Sequence, residues 1–147
     1  MKFMFTYRVD NHFLEDCSVM VLKPSKEVRV PIYGVRVAIC ANAEIASAKY
    51  GEDFLNDNFA AQVSVVKCIK SGILMVAICY REPNEYNAET LTHECVHAAW
   101  RILELVGITV SVDNQEPLAY LAGWLSRQVN NFMMDHIEAQ KKSEETK

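Results

Sequence analysis

The sequence predicts an α+β fold, a small and mostly antiparallel sheet followed by two long helices. Three observations predict it. β-Branched and aromatic runs with partial alternation fill the first eighty residues, whereas the last sixty carry apolar residues at steps of three and four. Strands grouped ahead of helices indicate α+β rather than an alternating parallel fold. The length, 147 residues, suits one domain, expected over 1–140 with a charged, frayed tail over 141–147.

The strand-like runs come first. Phe3–Val9, Ser18–Leu22, Val28–Ile32 and Val35–Ile39 are candidates, interrupted by Pro24 and Pro31, so that some are edge strands or loops. Residues 42–50 suit a short helix, with Asn42 as cap and Gly51 as terminator, and residues 52–58 read as a loop. Gln62–Lys70 and Ile73–Tyr80 are strand-like, and Ser71-Gly72 between them suits a two-residue hairpin turn.

The first long helix is expected from Ala88 to Val106, capped by Asn87 and closed by Gly107. Leu91, Cys95, Ala98, Ile102 and Leu105 form its main apolar stripe. Val96, Ala99 and Leu103 form a second stripe beside it. Ile108–Val112 reads as a short strand. The second helix is expected from Asp113 or Asn114 to about Glu138, with Pro117 in its first turn and a core stripe of Leu118, Leu121, Ala122, Leu125, Val129 and Phe132. The two helices are expected to pack together.

Composition excludes several classes of function. A net charge of −4 lacks the broad basic footprint of a nucleic-acid binder, so no nucleic-acid partner is expected. No stretch approaches the ~18 apolar residues of a membrane span, and no secretory h-region is seen, so a cytoplasmic protein without a membrane partner is expected. Five cysteines without CxxC spacing point to reduced, mostly buried thiols.

The residues that carry chemistry are His93-Glu94-Cys95-Val96-His97. At ~100° per residue, His97 stands about 40° round from His93 and Glu94 about 100° round, so all three share one arc. Two imidazoles one turn apart can meet on a single zinc ion, and Glu94 is set to reach a water on that ion. The bland alternative is two histidines on a solvated helix face. A catalytic zinc also needs a third protein ligand. His12 and His136 are candidates by residue type alone. Glu116, nineteen residues after His97, is better placed if the second helix returns antiparallel. Its competing role is the capping box Asp113-Asn114-Gln115-Glu116.

The motif stretch His93–Ala99, followed by Asn114-Gln115-Glu116-Pro117-Leu118-Ala119-Tyr120 and the residues up to Leu125, resembles gluzincins. The likeness is to minimal members of that group and to small metallopeptidase-like proteins encoded by bacteriophages. It covers about the last third of the chain. It implies a zincin-like fold, zinc held by His93, His97 and Glu116, Glu94 as general base, and a peptide or protein substrate, in the host cytoplasm if a phage encodes the chain. Larger gluzincins carry an acidic residue four positions after the third ligand, and here that position is Tyr120. Glu89 and Asp113 are alternative orienting carboxylates. Tyr120 and Tyr86 are candidate oxyanion donors, against the plainer role of amphipathic residues at the edge of the core. The resemblance also implies that Ile73–Tyr80 is the edge strand that holds substrate. By its own position, three residues past His97, Trp100 either lines a pocket or packs between helices.

Three rivals remain from sequence. One is a zinc-binding but inactive protein that acts on a host or partner protein. Another is a different HExxH enzyme. Peptide deformylases need an acidic residue where Val96 stands, whereas repressor-cleaving gluzincin-like peptidases stay open as a substrate class. The third is an interaction module without metal.

Overall fold

A computed structural model describes residues 25–51, 54–55, 58–68 and 70–146. The candidate strands Phe3–Val9 and Ser18–Leu22, together with His12, Cys17 and Pro24, lie outside the described residues. The described chain is α+β. Strands β1 (Ser25–Arg29), β2 (Arg36–Cys40), β3 (Ala61–Lys67) and β4 (Leu74–Tyr80) join helices α1 (Ala43–Tyr50), α2 (Ala88–Leu105) and α3 (Glu116–Glu145). The strand order is β1-β2-β4-β3. β1 with β2 and β3 with β4 are antiparallel, while β2 and β4 are parallel in the register Val37↔Val76 to Cys40↔Cys79. Parallel neighbours need a crossover, and α1 and β3 supply it.

Both faces of the sheet are covered, and the pleat decides which residue goes where. Val37, Ile39, Val76, Ile78 and Tyr80 point toward α2 and α3. Their alternate neighbours Ala38, Cys40, Met75, Ala77 and Cys79 point the other way, toward Ala46 of α1 and toward Phe54 and Leu55. A strand buried on two sides reads as a continuous apolar run, which is why Leu74–Tyr80 contains no polar position before its terminal tyrosine. Cys40, Cys79 and Cys95 are buried free thiols, pushed up to about 11, 12 and 11 by burial.

Tyr80 is fully buried, with its ring edge-on to Tyr86 at 5.4 Å. Its hydroxyl has no hydrogen-bond partner among the described residues. Tyr80→Phe removes that orphaned group while keeping the packing. It is expected to raise stability by about 1 kcal/mol, read as a higher urea midpoint. A clear loss of stability would show that the hydroxyl is satisfied by buried water.

Several boundaries differ from expectation. The first described strand ends at Arg29 rather than Ile32, because Pro31 lacks an N–H and opens a turn closed by Val30 N–H donating to Val35 O at 2.9 Å. Ile32 at the tip has φ 67° and is 98 % exposed. The left-handed region costs an L-residue about 1–2 kcal/mol. Ile32→Gly, after the entropy of glycine is subtracted, is therefore expected to stabilise the fold by about 0.5–1 kcal/mol in chemical denaturation. The β3–β4 connection is wider than two residues. Its closing hydrogen bond runs from Cys68 N–H to Ile73 O at 2.9 Å, with Gly72 at φ 70° inside it.

The boundaries of α2 fall within a residue of expectation. The Asn87 side chain accepts from the Glu89 and Thr90 amides, and Thr90 Oγ1 accepts in return from Asn87 N–H. Ile108–Val112 forms no strand among the described residues. It is an irregular return in which two carbonyls are met by side chains, Thr109 O by Asn114 Nδ2 and Val112 O by Gln115 Nε2. No capping box forms at Asp113–Glu116. The cap of α3 is Gln115, whose side chain makes no capping hydrogen bond. At its other end α3 continues through Glu145 instead of stopping near Glu138, because 139–145 holds good helix formers and no Gly or Pro. No helix among the described residues is long and apolar enough to cross a membrane.

Candidate metal centre and peptide cleft

Four residues of α2 stand in line at steps of four: Glu89, His93, His97 and Arg101. With Thr90 and Glu94 beside them they form one wall of an open cleft of about 460 Å³. The other wall is Asn58–Val63, the approach to β3 and its first three residues. The expectation that Ile73–Tyr80 is the edge strand beside the motif helix is therefore corrected. β4 is interior, paired on both sides, and β3, the outermost strand among the described residues, lines the cleft. Pairing across the sheet sets this order, and local sequence does not encode it.

The two histidines converge. Their Nε2 atoms are 3.1 Å apart, and the rings meet at a 70° angle with centroids 4.7 Å apart. Two imidazole nitrogens on one tetrahedral zinc, each at ~2.0–2.1 Å, stand about 3.3 Å apart. The donor pair thus fits one zinc-sized cation with almost no movement. The same separation allows a hydrogen bond between a protonated and a bare ring nitrogen. Both rings are exposed, so the pair is open to solvent and to ions.

Glu94 differs from its neighbours in being buried, at 7 % exposure. Burial pushes its carboxyl above the ordinary value, and His93 and His97 pull it partly back. A carboxylate that holds its proton more tightly than a solvated one is a better base.

The structure does not bring Glu116 to this cleft. Glu116 and Tyr120 line a separate pocket of about 340 Å³ with Pro31, Ile32, Tyr33, Pro117, Leu121 and Trp124. Helical phase explains the separation. Cys95 sits beside Ser126 of α3 and shares a core with Leu121, Leu125 and Val129. His93 and His97 are two residues to either side of Cys95, about 160° round the helix from it. The face that binds α3 is therefore opposite the face that carries the imidazoles. Among the described residues, no three His, Cys, Asp or Glu side chains gather into a metal-sized cluster.

The other candidates are dispersed. His136 is a core histidine, buried against Phe132 at 4.5 Å. The Tyr86 hydroxyl is hydrogen-bonded to Asn130 Oδ1. Asp113 lies in the exposed turn before α3, and Tyr120 is 78 % exposed. Trp100, half exposed, lines neither pocket. Glu89 does line the histidine cleft. Arg101 is a cleft residue that sequence reading passed over, although its place one turn after His97 was a sufficient signal. It is ion-paired to Glu104 at 2.8 Å, both side chains more than half exposed.

No family model matches the chain, and no curated protein or solved structure matches it.

Proposed function

We propose that the chain is a zinc-dependent peptidase of the HExxH type, with His93 and His97 as metal ligands and Glu94 as general base. The observation that carries this reading is the 3.1 Å convergence of the two Nε2 atoms beside a buried glutamate. Zinc, when bound, lowers the pKa of water to about 7 and polarises a scissile carbonyl. Glu94 takes the proton of the attacking water and returns it to the leaving amine. The substrate backbone lies along β3, the outermost strand among the described residues, in an extended form that tolerates varied sequence. The substrate is a peptide or protein, met in the cytoplasm.

A second reading has an observation in its favour. With Glu116 on the far side of α2, the described residues offer two ligands rather than three, which suits a zinc-binding protein that acts on a partner without cleaving it. One experiment separates the two readings. The zinc-supplied protein is incubated with a diverse peptide mixture, and products are read by mass spectrometry with and without chelator. Chelator-sensitive cleavage that His93→Ala abolishes supports the peptidase. Stoichiometric zinc without cleavage supports the partner-binding reading.

A further inference from the structure

The pocket that holds Glu116 has a chemistry of its own. Its walls are apolar and aromatic, with Tyr33, Tyr120 and Trp124 around it and the Glu116 carboxylate as its one formal charge. Glu116 makes no hydrogen bond or ion pair among the described residues, and Arg127, across Trp124 in the neighbouring groove, does not neutralise it. Aromatic faces and a carboxylate together attract a cation, and apolar walls accept the methylene stem that carries it. A planar, delocalised guanidinium suits this lining better than a compact ammonium, because it stacks on rings and pairs with a carboxylate through two N–H groups.

The rim points the same way. Ile32 holds its side chain wholly in solvent, in a backbone conformation that disfavours a β-branched residue, and Tyr120 beside it is also exposed. Strain that keeps an apolar side chain in water at the mouth of a pocket has a purpose when a partner covers it. A volume of about 340 Å³ accommodates one long side chain rather than a helix.

We propose that this pocket docks an arginine side chain of a partner protein, with Glu116 pairing the guanidinium and Tyr33, Tyr120 and Trp124 enclosing its stem. The site is independent of the histidine cleft.

The test uses the full chain carrying Trp100→Phe, so that Trp124 supplies the only indole. Acetyl-Gly-Arg-Gly-amide is titrated while the Trp124 indole N–H and Ile32 methyl resonances are followed. Saturable shifts are expected, at least tenfold weaker with the citrulline peptide, and weakened at least fivefold by Glu116→Gln. Tyr120→Leu, which keeps the apolar bulk and removes the ring, is expected to weaken binding as well. The proposal is overturned if the arginine peptide produces no saturable shift, if citrulline binds equally well, or if Glu116→Gln binds like the parent protein.

Discussion

Glu94→Gln is expected to leave zinc binding intact while lowering peptide hydrolysis by about 10²–10⁴-fold, the usual contribution of a positioned general base. The substitution keeps the shape of the side chain and removes only its capacity to accept and return a proton. Its effect on stability runs the opposite way. Burial raises the Glu94 carboxyl above 4.5 in the folded state, so the native protein binds that proton more tightly than the unfolded chain does. Stability contributed by the protonated form is present at low pH and is lost as pH rises from 4.5 upward. Gln stays neutral throughout. Metal-free Glu94→Gln should therefore melt at a higher temperature than metal-free wild type at pH 7, with the gap closing toward pH 4. Loss of activity with a gain in stability is the signature of a group buried for chemistry. Unchanged hydrolysis would remove Glu94 from the mechanism.

The parts of the fold legible in sequence were those fixed by local chemistry. Asn87 and Gly107 bound α2 because a side-chain cap and a left-handed closure are local events. The apolar run of β4 was legible because two-sided burial leaves no polar position. The order of the sheet was not, since β3 becomes the outermost described strand only after β4 pairs with β2 across an intervening helix. Ile108–Val112 has strand-forming residues, yet side chains from 114 and 115 meet its carbonyls and no strand among the described residues pairs with it. At the site, the His93–His97 convergence follows directly from helical period. The position of Glu116 was also inferable. The stripe through Cys95 was assigned to the core and the two helices were expected to pack. If α3 packs on that stripe, its residues face away from the imidazoles. Glu116 could be a zinc ligand only by going round the helix.

Zinc should stabilise the folded protein by an amount that depends on two histidines and not on Glu116. At free zinc about one hundred times its Kd, binding to the folded state alone adds about 2.7 kcal/mol. In a domain of this length that raises Tm by about 5–10 °C. His97→Ala leaves one imidazole on an exposed face, where a single ligand holds zinc weakly, so the shift should disappear. His93→Ala should behave in the same way. Glu116→Ala should keep the full shift, because its carboxylate lines the pocket beside Tyr33 and Trp124 rather than the cleft beside β3. The contrast among these variants is more informative than any one of them. If Glu116→Ala also lost the shift, the zinc-bound protein would have to bring the start of α3 round to the histidines. That would restore the three-ligand arrangement implied by the gluzincin resemblance. If none of the variants altered the response, the 3.1 Å pair would be a hydrogen bond between two solvated rings.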